Sequence, residues 1–166
     1  MARKRLDICV FTVYCLVMLW LLFHRSRPDT AGPGFSYWTW VGSNVNLTPL
    51  HTIRLFWSVL ADPQRYIDRM GMAWYEANRQ HAIINLGGNV LLFLPLGFYP
   101  PRLFSKLQRL WKTIAFAASI IIAVEVTQVL TLRGNCDIDD LLLNLIGTAI
   151  GYGMFRLIQS SKKAAG

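Results

Sequence analysis

The sequence predicts an all-α integral membrane protein, a four-helix transmembrane bundle with a partly helical, interfacial extracytoplasmic loop between helices 1 and 2. Of the 166 residues, 54% are apolar and only 16% are charged, a balance low in charge for a soluble domain. Four apolar segments are each near the ~20 residues that cross a hydrocarbon core. The basic residues lie in short clusters between these segments, which is typical of cytoplasmic loops. We therefore expect residues 1–166 to form a single membrane domain.

The net charge of +8 does not indicate a nucleic-acid-binding protein, because the basic residues are dispersed and form no single patch. Three cysteines, Cys9, Cys15 and Cys136, are too scattered for a disulfide framework. No CxxC pair or nearby histidine cluster accompanies them. We therefore expect buried apolar side chains and one loop thiol rather than a metal or redox site.

The first apolar segment covers about residues 6–23 and follows the basic run Arg3–Arg5. A secretory signal begins in the same way. However, the apolar core is longer than that of most signals and near the lower limit for a span, and the residues after it offer no convincing cleavage site. We predict an uncleaved first helix.

The other three apolar segments cover about residues 82–99, 111–132 and 138–158. The second is expected to stop at Pro100 and Pro101, because proline interrupts a helix. Four spans place both termini on the same side of the membrane, and the basic residues of that side identify it as the cytoplasm. The loop over residues 24–81 is then extracytoplasmic.

This outer loop carries three stretches suited to the membrane–water interface. Residues 35–40 are rich in aromatic side chains, which favour that interface, and residues 50–60 are apolar. Residues 64–81 suit an amphipathic helix lying on the bilayer, although a solvated cap over the bundle fits the pattern nearly as well. Asn46–Thr48 matches a glycosylation sequon, but an ordinary turn into Pro49 is the preferred interpretation. The three histidines of the loop are interpreted as surface residues.

Acids and amides near the apolar segments are the most informative residues, because a carboxylate in hydrocarbon is costly and marks a functional site. On the third helix Glu125 and Gln128 are three residues apart and share a face. Arg133 follows in the loop, where it is placed to pair with an aspartate or to bind a phosphate or carboxylate as a fork. On the second helix Asn85 and Asn89 are four residues apart and share a face near the outer end.

The fourth helix carries a stripe of polar and small residues at spacings of three and four: Asp137, Asp140, Asn144, Gly147 and Gly151. Gly147 and Gly151 form a small-xxx-small pair that lets a neighbouring helix approach closely. Asp139 points elsewhere and is expected at the helix N-terminus, where negative charge is favourable. In the second helix Pro95 removes a backbone hydrogen bond, and a kinked helix beside buried acids can line a cavity.

Three interpretations of these residues compete. The polar side chains form an interhelical network that fixes the packing, or they line a cavity that binds a lipid-linked or antibiotic headgroup. In the third, Glu125, Asp137 and Asp140 form a catalytic centre that holds a divalent cation through oxygen ligands or acts as general acid and base. No nucleophile–base triad, phosphate-binding loop or zinc motif accompanies them. No metal ligand is therefore assigned, and whether a reaction is catalysed stays open.

Three blocks of residues resemble the VanZ-like membrane proteins, a bacterial family named for a teicoplanin-resistance factor. The first block, Asn46–Ile53, is similar to the asparagine–leucine–x–proline segment of that family. The second, Asn85–Pro100, is similar to its second-helix signature. The third is the polar set Glu125, Gln128, Arg133, Asp137, Asp140, Asn144 and Gly147.

The resemblance implies a multi-pass protein of the bacterial cytoplasmic (inner) membrane that acts in cell-envelope homeostasis or in resistance to teicoplanin and related lipoglycopeptides. Because no reaction is generally assigned to the family, an intramembrane enzyme acting on a lipid-linked phosphate or sugar headgroup is the alternative. We expect six residues to line one outward-facing polar pocket: Asn85, Asn89, Glu125, Arg133, Asp137 and Asp140. Gln128 and Asn144 are further binding candidates. The expected partners are the lipid bilayer and a lipid-linked envelope precursor or a lipoglycopeptide, and the oligomeric state is left open.

Overall fold

The structure is a computed structural model, and it describes residues 2–24, 30 and 34–164. Its helices are α1 (Ala2–Phe23), α2 (Tyr37–Ser43), α3 (His51–Ala61), α4 (Pro63–Met70), α5 (Met72–Ile83), α6 (Asn89–Leu103), α7 (Leu110–Leu130) and α8 (Ile138–Ala164). A π-helical turn, Ile84–Gly88, joins α5 to α6, and a 3₁₀ turn, Ser105–Leu107, precedes α7. Two short strands, β1 (Val45–Asn46) and β2 (Cys136–Asp137), complete the described elements.

Four of the described helical segments are long and apolar enough to cross a membrane: Lys4–Phe23, Met72–Leu103, Leu110–Leu130 and Ile138–Ser161. This confirms the prediction of an all-α, four-helix membrane bundle. The outer loop is partly helical as expected, because α2, α3 and α4 lie within it.

The second span is longer at both ends than the sequence predicted. Its helix begins at Met72, after Gly71 breaks the chain direction with a φ of 87°, and it ends at Leu103. The expectation of a stop at Pro100 and Pro101 is wrong, because both prolines are accommodated inside the last turns of α6. Residues 64–81 do not form one continuous helix, because α4 ends at Met70 and α5 begins at Met72 and continues through the π turn into the second span.

Helices α6 and α8 pack backbone to backbone, and glycines make this close approach possible. A Cβ on Gly147 would overlap the carbonyl oxygen of Val90, and one on Gly151 would overlap that of Leu94. Gly97 lies opposite in α6 and has the same restriction against the backbone of α8. Small residues of this kind let transmembrane helices pack backbone to backbone.

The buried core lies among α1, α6 and α7. It consists of Met18, Phe93, Leu96, Ala117 and Ile121, each at most 4% exposed. The helix α1 is also held by polar contacts. The Tyr14 hydroxyl donates a 2.9 Å hydrogen bond to the Leu92 carbonyl oxygen of α6, and Arg102 of α6 forms an ion pair with Asp7, with 2.7 Å between Nε and Oδ2.

The outer loop is tied to the connection between α7 and α8 by a two-residue parallel pairing. Val45 lies opposite Cys136 and Asn46 lies opposite Asp137. Helix α7 ends at Leu130, and Leu132, two residues later, has a left-handed φ of 58°. The Arg133 N–H then reaches back to the Gln128 carbonyl oxygen at 2.8 Å, as in a Schellman helix end. The β pairing brings the polar residues of the outer loop to the first turn of α8.

Candidate functional site

A cavity of about 450 Å³ lies where the outer loop, the α5–α6 helix and the start of α8 meet. Its lining residues are Thr52, Leu55, Phe56, His81, Ile84, Asn85, Asn89, Asn135, Asp137 and Asp140. The helix α3 supplies one wall, the π turn with its neighbours supplies a second, and the α7–α8 connection with the first turn of α8 supplies the third. Four of the six residues expected in one pocket therefore lie in the same cavity.

The first polar cluster of this cavity is centred on Asp140. Its Oδ1 accepts hydrogen bonds from the Nδ2 atoms of both Asn85, at 3.1 Å, and Asn89, at 2.7 Å. Asn85 lies within the π turn and Asn89 directly follows it. A π turn inserts one extra residue into a helix and is frequently found at functional sites. This turn sets the two amides against one carboxylate oxygen of α8.

The second cluster is centred on Asp137, which connects the wall made by α3 to the start of α8. Its Oδ2 accepts a 2.6 Å hydrogen bond from the Thr52 hydroxyl and a 3.2 Å bond from Asn46 Nδ2. Its Oδ1 accepts from the Asp139 backbone N–H at 2.9 Å. Both oxygens are thus held in place by donors from two separate parts of the chain.

Asp139 is fully buried, with 0% exposure, and it holds the start of α3. Its carboxylate accepts from the backbone N–H groups of Leu50 at 2.5 Å, Thr52 at 2.8 Å and Ile53 at 3.1 Å. The N-cap residue of α3 is Leu50, with a left-handed φ of 62° and no side-chain cap of its own. Asp139 lies in the first turn of α8 as expected, but its hydrogen bonds satisfy the N-terminus of α3 instead.

Arg133 and Gln128 hold the end of α1 and do not line the cavity. Arg133 Nη1 donates to the Phe23 carbonyl oxygen at 2.5 Å, and Gln128 Nε2 donates to the Leu22 carbonyl oxygen at 2.7 Å. Of the two roles considered for Arg133, pairing with an aspartate or binding a phosphate or carboxylate, the first is not the contact that the structure shows. Carbonyl groups at the end of a helix lack an intrahelical partner, and these two side chains satisfy them.

Glu125 lies outside the 450 Å³ cavity, so the expectation of one pocket shared by all six residues is wrong for Glu125 and Arg133. The Glu125 side chain is 8% exposed and lines a separate cavity of about 200 Å³ together with Asp137 and Cys136. Burial raises the pKa of the Cys136 thiol, and the carboxylates of Glu125, Asp137 and Asp140 raise it further. Asn144, one turn beyond Asp140 on α8, is 2% exposed and does not line either cavity.

The sequence did not point to three residues of this site. Thr52 lines the cavity and donates to Asp137, Asn46 donates to the same oxygen, and His81 lines the cavity although it was interpreted as a surface residue. Asn46 and Thr52 belong to the block Asn46–Ile53 that resembles the VanZ-like proteins, and this resemblance is the sequence feature that could have identified them. Asn46 also accepts from the Thr48 N–H at 3.1 Å, in the turn that precedes Pro49.

The charges of the cavity lining are mainly negative. Among the described residues that line it there are two aspartates, one histidine and no lysine or arginine. In the described part of the chain, no group of three or more His, Cys, Asp or Glu side chains is arranged to hold a metal ion. Glu125, Asp137 and Asp140 thus do not form the three-carboxylate cation site that was considered, and the lining favours hydrogen-bond donors and cationic groups.

In a comparison with protein families, the family model described as VanZ/LLP1 matches residues 11–159. The match includes the second and third spans, most of the first and fourth, and both polar clusters. Comparison with curated proteins and with solved structures found no match.

Proposed function

Because the chain belongs to the VanZ/LLP1 family, we propose that it acts at the outer face of the bacterial cytoplasmic membrane, where its polar cavity binds the headgroup of a membrane-associated molecule. This molecule is a lipid-linked envelope precursor or a lipoglycopeptide, and the role is in cell-envelope homeostasis or teicoplanin-type resistance. The proposal keeps both termini in the cytoplasm, because basic residues concentrate at that end of the spans. The cavity, at the opposite end of the spans, then faces the cell envelope.

The observation that carries the proposal is the 450 Å³ cavity with Asp137 and Asp140 in its lining. Ligand sites commonly have volumes of about 300–1,000 Å³ and combine apolar walls with a few placed polar groups. Here Leu55, Phe56 and Ile84 supply apolar wall, and the aspartates, amides and Thr52 supply the polar groups. A purely structural network would not require this open space beside it.

The cavity also has a side that suits access from the bilayer. Leu55 of α3 and Ile84 of the π turn both line it, and their side chains are 49% and 70% exposed. Large apolar side chains with this exposure are favourable next to lipid. A molecule with its chain in the outer leaflet can then place its polar headgroup between these residues without leaving the membrane.

The test is teicoplanin susceptibility of a sensitive bacterium that expresses the wild type, Asp140→Asn or Glu76→Gln at matched membrane levels. Asp140→Asn keeps an acceptor oxygen for the two asparagine amides and removes the charge. Glu76 pairs with Arg79 on an exposed face of α5 and does not line the cavity, so its variant is the matched control.

We expect protection by the wild type and by Glu76→Gln that Asp140→Asn loses. Equal protection by all three would reduce the cavity aspartate to a packing role. No protection by the wild type would contradict the resistance role and would restrict the proposal to envelope homeostasis.

A further inference from the structure

We propose that the group seated in the cavity is a primary ammonium, carried by an amino sugar or an aminoalcohol headgroup. This inference rests on the proposed function, because it names the chemistry of the headgroup that the same cavity binds. It follows from three properties of the lining: its charge, the fixed position of its acceptors and the hydrogen-bonding side chains around them.

The first property is charge. Asp137 and Asp140 both line the cavity, and no lysine or arginine stands beside them in the described lining. Phosphate and carboxylate groups are recognised in proteins by arginine and by backbone N–H groups. The arginine nearest in sequence, Arg133, is bound to the end of α1. An anionic headgroup would therefore meet the like charge of two carboxylates in a described lining that holds no lysine or arginine, whereas an ammonium meets opposite charge there.

The second property is that both carboxylates are held before any ligand arrives. Asp140 receives two amide donors from one wall, and Asp137 receives the Thr52 hydroxyl from another. An ammonium has three donors and no acceptor, so it needs several acceptors at fixed positions. Because these donors already orient the acceptors, binding costs less conformational entropy than it would at mobile surface acids.

The third property is the composition around the acids. Thr52, Asn89, Asn135 and His81 also line the cavity, and each can exchange hydrogen bonds with hydroxyl groups. A headgroup that carries an ammonium next to one or more hydroxyls matches this set. A trimethylated ammonium has no N–H to donate and fits the same lining less well.

The test is thermal stability of the purified full-length protein in nanodiscs, measured with increasing concentrations of soluble probes. D-glucosamine carries the ammonium of an amino sugar, and ethanolamine carries the ammonium of an aminoalcohol headgroup. N-acetyl-D-glucosamine and glycerol are their uncharged counterparts, and glycerol 3-phosphate is the anionic probe. We expect both amines to raise the unfolding temperature. The uncharged and anionic probes should need concentrations at least about tenfold higher for the same rise, the factor expected for the loss of a charge-assisted hydrogen bond.

The comparison of glucosamine with ethanolamine distinguishes an amino sugar from an aminoalcohol headgroup. The Asp140→Asn protein, which keeps an oxygen for both asparagines, should lose the response to the amines, and Glu76→Gln should keep it. A larger rise in unfolding temperature with N-acetyl-D-glucosamine, glycerol or glycerol 3-phosphate than with the amines would overturn the ammonium inference. The proposal of a headgroup site would then still hold. A response to none of the probes in the wild type would overturn both the inference and the proposed cavity ligand.

Discussion

Replacement of Asp139 by alanine should detach α3 from the start of α8 while the four spans stay folded. The Asp139 carboxylate is fully buried and accepts three backbone N–H groups at the start of α3, from Leu50, Thr52 and Ile53. The N-cap residue of α3 offers no side-chain acceptor of its own. The alanine variant therefore leaves three donors without their partner, and one wall of the cavity loses its attachment.

The magnitude follows from these three bonds. Hydrogen bonds to a charged group contribute about 1.5–3 kcal/mol each, and desolvation of the buried carboxylate offsets a large part of their sum. We expect a net loss of about 2–4 kcal/mol in the local stability of α3, somewhat more than the ~1 kcal/mol of an ordinary helix cap. Since every 1.4 kcal/mol is a factor of ten, amide exchange across α3 should accelerate by about 30-fold to about 700-fold.

The assay is hydrogen–deuterium exchange of residues 51–61 in nanodiscs, with α7 as the internal reference. Asp68→Ala is the matched control, because Asp68 is an exposed aspartate of α4 whose carboxylate accepts only an exposed side-chain bond from Gln64 among its described contacts. Unchanged exchange in α3 of a folded Asp139→Ala protein would refute the assignment of Asp139 as the cap of that helix. Faster exchange throughout the spans would show that Asp139 stabilises the whole bundle and not α3 alone.

Three further predictions follow from contacts away from the cavity. Gly147→Ala should lower the free energy of unfolding by about 1–3 kcal/mol because its Cβ overlaps the backbone of α6, whereas Gly153→Ala, with open space around it, should not; chemical unfolding in detergent measures both. Alkylation of Cys136 by iodoacetamide, in a variant that keeps only this cysteine, should still be accelerating above the pH at which a free thiol levels off, because its raised pKa lowers the thiolate fraction; a plateau at the same pH as that of a free thiol would contradict this. Asp7→Ala should destabilise the protein by about 1–2 kcal/mol in a thermal unfolding measurement, since it leaves the half-buried Arg102 guanidinium unpaired, and an additional Arg102→Leu replacement should recover part of that loss.

The sequence predicted the four spans because apolar length and the position of basic clusters are local properties of the chain. It also predicted that Asn85 and Asn89 share a face and that Asp140 belongs to a polar stripe, since these follow from helical spacing. The π turn that brings both amides to one oxygen of Asp140 could not be predicted. In this helix the sequence indicated a kink only at Pro95, and the helical spacing of the asparagines does not reveal a π turn at Ile84–Gly88.

The partners of the buried charges were the least predictable part of the site. Arg133 was considered as a partner of an aspartate or of an anionic ligand, but it binds the Phe23 carbonyl oxygen. Asp139 binds N–H groups at the start of α3. Every helix end has carbonyl or N–H groups without an intrahelical partner. The sequence pattern does not predict which charged side chain will bind them. Helix α3 was expected only as an apolar interfacial stretch, so its N-terminus was not available as a partner.

The most direct test of the central claim, that the outer cavity binds a membrane-associated headgroup, is photo-crosslinking in living cells from two adjacent residues of α3. A photoreactive phenylalanine analogue replaces either Phe56, which lines the cavity, or Trp57, which is 65% exposed and is not part of the cavity lining. We predict that position 56 captures an amphiphile with a polar headgroup, that position 57 captures bulk phospholipid, and that Asp140→Asn removes the capture specific to position 56. The same phospholipids captured at both positions, whether or not Asp140 is replaced, would contradict the proposed headgroup site.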